Sequence, residues 1–183
     1  MKTQKKTVIF RAALLVLCLI VTVSSSAFGD TITANDDCTT RGSTNYNANY
    51  PFGLFVKNSD DVGWVEFTIG TGAVSDATLD IYQAWASVPG SWTILIKGYV
   101  YNFTESTFTG TSTASWTTVG TIPNVSSVTS YSLDITDFYN NNLGNTVTFW
   151  LSRSTQPAGD GPIFEDKEGT LTGNGAVNGP KIT

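Results

Sequence analysis

Thr146 to Ser152 reads TVTFWLS, a stretch in which polar and apolar side chains alternate except at Trp150. Successive side chains of a β-strand point to opposite faces, so Val147, Phe149 and Leu151 share one face. Burying such side chains contributes roughly 1.5–3 kcal/mol each, and a slip of one residue exposes all three. The stretch therefore predicts a half-buried strand with an apolar inner face and an outer face that carries Trp150.

The same period of two recurs along the chain, between turns rich in Gly, Asn, Asp, Pro and Ser. Further strands are predicted at Leu54–Lys57, Trp64–Ile69, Ala77–Tyr82, Trp92–Tyr101, Ser115–Val119 and Tyr131–Ile135, with weaker ones at Thr31–Ala34, Cys38–Arg41 and Ile163–Asp166. About ten short strands at this spacing are typical of a sandwich. We expect an all-β fold: an antiparallel, jelly-roll-like β-sandwich with one short helical turn at Thr136–Asn142, capped by Asp134 or Thr136.

The first 29 residues have the three parts of a secretory signal. A basic start, Met1–Lys6, precedes the apolar run Ala12–Val23 and the small, polar stretch Ser24–Gly29. The apolar run is shorter than the roughly 20 residues that span a bilayer, which disfavours the alternative of a retained membrane anchor. We expect cleavage before Asp30 and a single secreted domain, residues 30–183, outside the cell or at its surface.

Charge narrows the range of partners. The chain has 10 Lys and Arg against 15 Asp and Glu, and four of the basic residues lie in the signal region. The exported domain is therefore strongly acidic. Such a surface repels phosphate groups, so we expect no nucleic acid partner and no membrane partner after signal cleavage. Neutral polymers and cations are better partners.

The chemistry available to the chain is limited, because it contains no histidine. This excludes Ser-His-Asp and Cys-His mechanisms and imidazole-bound metals. Signal cleavage leaves Cys38 as the one cysteine, so no internal disulfide forms in the domain. Of the hydrolytic mechanisms, a carboxylate-only glycosidase remains, with the mid-strand Glu66 as its candidate acid. We expect no enzyme activity, and glycosidase activity is the least favoured alternative.

Several segments together resemble the DNRLRE domain, a secreted β-sandwich module of bacterial and archaeal surface proteins that overlaps a family of carbohydrate-binding modules. These segments are DCTTRG at Asp37–Gly42, WVEF at Trp64–Phe67, VSDATLDIY at Val74–Tyr82, ASW at Ala114–Trp116, LDITDF at Leu133–Phe138, FEDKEG at Phe164–Gly169 and PKI at Pro180–Ile182. The name-giving hexapeptide is absent from the chain. The resemblance implies a jelly-roll sandwich that binds polysaccharide or builds surface structures, with Trp116 as a structural core residue.

Large aromatic side chains on a polar face indicate a binding surface. Strand alternation places Trp64, Tyr82 and Trp150 on outer faces, and Trp85 flanks the turn Ser87–Gly90. Aromatic rings stack on the apolar faces of sugars. The predicted carbohydrate-binding residues are therefore Trp64, Glu66, Tyr82, Trp85 and Trp150, with Glu66 as a partner for sugar hydroxyls. Two alternatives stay open: a loop covers the outer face, or Glu66 pairs with Lys57 or Lys97.

Acidic residues near the C-terminus suggest a structural calcium ion. Calcium takes six to eight oxygen ligands and often binds at the ends of β-sandwiches. The predicted ligands are Asp160, Glu165, Asp166 and Glu168, whose charges repel one another without a cation. Solvated acidic turns are the alternative.

The sequence thus predicts a secreted, non-catalytic carbohydrate-binding module whose partner is extracellular or cell-wall polysaccharide. The alternative is a structural surface or matrix protein that assembles with itself or with other surface proteins and binds no sugar.

Overall fold

The structure is a computed structural model that describes residues 30–46, 53–56, 61–86, 91–154 and 161–183. The predicted signal, Lys57, Ser87–Gly90 and Asp160 lie outside these residues. The strands are β1 (Ile32–Thr33), β2 (Asp36–Arg41), β3 (Thr44–Asn45), β4 (Leu54–Phe55), β5 (Asp61–Thr68), β6 (Thr78–Ala86), β7 (Trp92–Tyr99), β8 (Thr117–Val125), β9 (Ser130–Asp134), β10 (Thr146–Arg153), β11 (Pro162–Phe164) and β12 (Lys181–Ile182). The helices are α1 (Thr136–Asn140) and α2 (Gly175–Asn178).

These strands form two antiparallel sheets. Sheet 1 has the order β1-β12-β6-β11-β4, and β9 also pairs with β6. Sheet 2 has the order β3-β2-β5-β10-β7-β8. The predicted all-β sandwich is confirmed, with twelve strands in the described part of the chain where the sequence indicated about ten.

A main core lies between the two sheets and is formed by the apolar side chains that alternate with polar ones along the strands. Val147, Phe149 and Leu151 of β10 are fully buried, and Phe149 lies opposite Val65 of β5 in the register. Leu79 and Ile81 of β6 join the same cluster from sheet 1. The predicted inner faces of these strands are therefore confirmed. Trp92 of β7 also points inward and is 1% exposed.

The predicted and observed strand boundaries differ most at β8. The sequence predicts a strand at Ser115–Val119, and the structure has one at Thr117–Val125. Gly120 and Pro123 interrupt the apolar alternation, and Asn124 has a positive φ of 57°. Pro is tolerated in an edge strand, because its missing N–H needs no partner on the free side. β8 pairs only with β7 among the described strands. As an edge strand it can continue through Pro123, so it extends beyond Val119, where the apolar alternation ends.

The predicted helical turn is present as α1 and two residues shorter. The N-cap residue, Ile135, makes no side-chain capping hydrogen bond; the carboxylate of Asp134, one of the two predicted caps, accepts hydrogen bonds from the backbone N–H and the hydroxyl of Thr136. Phe138 of α1 packs 5.2 Å from Phe149, ring centre to ring centre. This packing requires Gly98 of β7, because a Cβ there would lie 2.5 Å from the Phe138 ring.

Candidate functional site

The outer face of sheet 2 is covered by residues 100–116, which connect β7 to β8 and are called here the covering segment. Across this face Cys38, Trp64, Trp150 and Lys97 are lateral neighbours on β2, β5, β10 and β7. The covering segment places Phe103, Phe108 and Trp116 over Cys38 and Trp64. These five buried residues, Cys38, Trp64, Phe103, Phe108 and Trp116, form a second cluster on the outer side of the sheet.

The expected exposure of Trp64 is therefore wrong. Its facing is as predicted, but Trp64 is only 2% exposed. Its ring lies edge-on to Phe108 at 5.0 Å and to Trp116 at 5.6 Å, and its indole N–H donates to the Thr40 hydroxyl at 2.8 Å. A ring that is buried to this degree, with its N–H already bonded, is not accessible for stacking on a sugar. Trp116 is buried as predicted, although in this second cluster.

Glu66 is also covered. Its carboxylate accepts a hydrogen bond from the backbone N–H of Phe103 at 2.8 Å, and Glu66 is 3% exposed. Burial raises the pKa of the Glu66 carboxyl above its ordinary value, against the opposing effect of the Phe103 hydrogen bond. The role this geometry gives Glu66 is to hold the covering segment on the sheet, where the sequence suggested a contact to sugar.

Trp150 is half-buried beside Trp64. The Lys97 ammonium lies 5.5 Å from the centre of its ring and donates to the backbone carbonyl of Thr113. Trp150, Trp64 and residues 109–111 line a groove of about 410 Å³. Trp150 is therefore accessible in part, because the Lys97 ammonium lies over its ring.

Tyr82 and Trp85 lie on β6, in the other sheet. Tyr82 is half-buried, and Trp85 is 47% exposed. The structure thus does not bring the five predicted carbohydrate-binding residues together. Trp64, Glu66 and Trp150 share the outer face of sheet 2, while Tyr82 and Trp85 belong to sheet 1.

The acidic residues near the C-terminus bind protein groups. The Glu165 carboxylate is fully buried and accepts the backbone N–H groups of Leu171 and Thr172, at 2.8 and 2.7 Å. Asp166 accepts the N–H of Thr170 at 2.8 Å. These bonds organise the turn after β11 and use the oxygens that the sequence assigned to calcium. Both Glu165 oxygens and one Asp166 oxygen thus accept backbone N–H groups, and with Asp160 outside the described residues the calcium ion stays a prediction.

A different acidic group lies close together in space. Asp37, Glu105 and Glu168 have carboxylate oxygens within 4.8 Å of one another. The Lys167 ammonium lies 2.5 Å from a carboxylate oxygen of each of the two glutamates. Lys167 thus brings a positive charge to this acidic group, and its pKa is raised by hydrogen bonds to Glu105 and Glu168 despite its partial burial. Of the predicted ligands that the structure describes, only Glu168 belongs to this group.

The larger described groove lies elsewhere, between the β7–β8 edge of sheet 2 and the segment around α1. It has a volume of about 600 Å³ and is called here the Tyr99 groove. Its lining residues are Gly98, Tyr99, Val100, Thr117, Thr118, Val119, Asp134, Ile135, Thr136, Asp137, Phe138, Asn141 and Asn142. Tyr99 is 46% exposed, and its ring stacks on Trp116 at 5.8 Å with an angle of 26° between the planes.

Sequence reasoning missed this groove. Tyr99 fell inside a predicted strand on its outer side, which was the available signal. The opposite wall, residues 134–142, is about 40 residues away in the chain, and no local period indicates that the two meet. The groove combines an exposed aromatic residue with carboxylates, amides and hydroxyls.

No family model matches this chain, and no curated protein matches it either. Within the described residues, no helix is long and apolar enough to cross a membrane.

Proposed function

We propose that the chain is a secreted, DNRLRE-like domain that binds extracellular or cell-wall polysaccharide without catalysis, at the Tyr99 groove. The observation that carries the proposal is the exposed Tyr99 at the wall of a groove with a polar lining. The resemblance noted in the sequence and the β-sandwich fold support it. The acidic charge of the exported domain is consistent with a ligand that has no phosphate groups.

Tyr99 suits sugar binding because its position is fixed before a ligand arrives. The stacking on Trp116 restrains the ring, so binding costs little side-chain entropy. Aromatic rings present flat apolar faces to the C–H groups of a sugar, and Asn141, Thr117 and Thr118 offer hydrogen-bond donors and acceptors to its hydroxyls. The site thus has the two elements that carbohydrate recognition needs.

Affinity electrophoresis through gels that contain neutral or acidic polysaccharides tests this proposal, with calcium and with a chelator. We expect retardation in at least one neutral polysaccharide gel, and a loss of about fivefold in affinity for Tyr99→Ala, the size of one aromatic contact. Trp85→Ala is the matched control, because Trp85 is equally exposed and lies in the other sheet. Retardation that survives Tyr99→Ala and disappears in Trp85→Ala or Trp150→Ala contradicts this placement of the site.

A carboxylate-only glycosidase is disfavoured by the position of Glu66. Its carboxylate is bonded to Phe103 beneath the covering segment, so a glycosidic oxygen has no path to it in this structure. The measurement is release of reducing ends from the bound polysaccharide. Release that Glu66→Gln abolishes contradicts a non-catalytic role.

A second candidate function is self-assembly as a structural surface protein. The observation that favours it is β8, a nine-residue edge strand that pairs only with β7 in the described part of the chain. Free strand edges pair with other chains. Concentration-dependent oligomers in sedimentation that Thr121→Pro disrupts, together with free migration in every polysaccharide gel, favour this candidate.

A further inference from the structure

The charged residues that line the Tyr99 groove are all acidic. Asp134 precedes α1 and Asp137 lies in its first turn, and no Lys or Arg is among the described residues that line the groove. Three carboxylates elsewhere have a cation beside them: Asp61 has Arg41, and Glu105 and Glu168 share Lys167. The groove is therefore a place where negative charge faces solvent without a protein cation beside it.

The Asp134 carboxylate is held in place and keeps its charge. One of its oxygens accepts both hydrogen bonds from Thr136, at 2.9 Å from the backbone nitrogen and 2.7 Å from the hydroxyl oxygen. These bonds stabilise the ionised form and lower the pKa of Asp134. The second oxygen makes no hydrogen bond in the described structure, so it remains available to a donor from a ligand.

Asp137 adds a second charge from the first turn of α1. It is exposed, and its carboxylate forms no hydrogen bond or ion pair among the described residues. Two carboxylates at one groove attract cationic ligands and repel anionic ones, and this field acts within about 10 Å at moderate ionic strength. Asn141 and the Thr hydroxyls do not offset it, because they are neutral.

We propose that the Tyr99 groove selects polysaccharides whose sugars carry free, protonated amino groups over their N-acetylated counterparts and over uronic acid polymers. This inference rests on the proposed carbohydrate binding and names its ligand class. Tyr99 supplies the contact to the sugar ring, which is common to all these ligands. Asp134 and Asp137 supply the discrimination, because an ammonium group donates to their carboxylates and a ligand carboxylate is repelled.

Calorimetric titration with three tetrasaccharides tests the inference, at a pH that keeps the amino groups protonated and with a chelator present. The probes are β-1,4-linked glucosamine, β-1,4-linked N-acetylglucosamine and galacturonate. We expect glucosamine to bind about fivefold more tightly than N-acetylglucosamine, the size of one or two exposed ion pairs. Galacturonate is expected to bind most weakly.

In the variants, the readout is the ratio of the dissociation constants of the glucosamine and N-acetylglucosamine tetrasaccharides. Asp134→Asn/Asp137→Asn is expected to bring that ratio to about one, whereas Asp30→Asn, an exposed aspartate outside the groove, keeps it. In the unaltered protein the ratio is also expected to fall as salt is added, which needs no variant to fold.

Any result that differs from these expectations contradicts either the charge selection or the carbohydrate binding on which it rests. Equal affinities for the charged and the acetylated sugar, or tighter binding of galacturonate, overturn the charge selection and leave carbohydrate binding intact. Failure of every tetrasaccharide to bind, while the protein is folded, overturns carbohydrate binding itself. A ratio that Asp30→Asn changes as much as the double variant shows that net charge, and not the groove, selects the ligand.

Discussion

The main core and the second cluster lie on opposite faces of the same sheet, and neighbouring residues contribute to both. On β5, Val65 is buried between the sheets, and Trp64 is buried beneath the covering segment. The main core is assembled from strands of two sheets. The second cluster depends on a single irregular connection that returns across its own sheet.

The difference shows how far an alternating pattern can be interpreted. Alternation tells which side chains share a face, but not whether that face meets solvent. A polar face that carries Trp64 and Trp150 has the same period whether it is open or covered. Four variants test the main core, the second cluster and the acidic group around Lys167, and they follow in order of decreasing expected effect.

Phe149→Ala removes a ring from the middle of the main core. Phe149 is fully buried and contacts Phe67 and Phe138. Because the surrounding strands cannot collapse into the space, we expect a loss of about 3–5 kcal/mol in the free energy of unfolding. Urea denaturation followed by circular dichroism measures it, with Thr121→Ala on the exposed side of β8 as the control. A loss below 1 kcal/mol contradicts the assignment of Phe149 to the core.

Phe108→Ala removes the covering segment's ring from Trp64. We expect a smaller loss, about 2 kcal/mol, since the two sheets remain packed together. The distinguishing measurement is the quenching of tryptophan fluorescence by acrylamide, which we expect to rise as Trp64 becomes accessible. Unchanged quenching contradicts the role of this segment as the cover of Trp64.

Lys167→Met removes the cation that links Glu105 of the covering segment to Glu168 near the C-terminus. The side chain is partly exposed, so the expected loss is about 1 kcal/mol. Calcium chloride is expected to restore stability to the variant and to have little effect on the original protein, because the ammonium already neutralises the carboxylates. Equal effects of calcium on both proteins contradict this role of Lys167.

Asp37→Asn changes the pH dependence of stability. Burial raises the pKa of the Asp37 carboxyl well above its ordinary value, and the charges of Glu168 and Asp166 act in the same direction. The folded state therefore holds this proton more tightly than the unfolded chain. Its contribution to stability is complete below the unfolded pKa and is lost as pH rises through the folded pKa. We expect the variant to lose less stability on that rise, in denaturation midpoints measured from pH 4 to 8. Asp76→Asn is the control, and an identical slope in the Asp37 variant contradicts the expectation.

Alternation predicted the sheets well because its physical cause is local. The inner faces of β5, β6 and β10 follow from residue spacing alone, and the turn at α1 follows from its polar residues. The end of β8 was not predictable in this way, because Pro123 is tolerated where the far side of the strand is free, which a local pattern does not reveal.

The candidate site was less predictable than the fold, since it depends on contacts between distant parts of the chain. The residues 100–116 contain Phe103, Phe108 and Trp116 without a regular period, so their common target on β5 is not visible in the sequence. Glu165 and Glu168 are three residues apart, and one binds backbone N–H groups while the other binds a lysine. Only the folded chain distinguishes those two uses of a carboxylate.

The burial of Cys38 makes its thiol a reporter of local opening. Its thiol lies in the second cluster, and burial, with the nearby charge of Asp37, raises its pKa far above the usual value. Thiol reagents react with the thiolate, so in this state the cysteine is inert. It becomes reactive when residues 100–116 lift away from the sheet. The rate at which a thiol reagent labels Cys38 therefore reports how often the covering segment opens, and the measurement needs no change to the sequence.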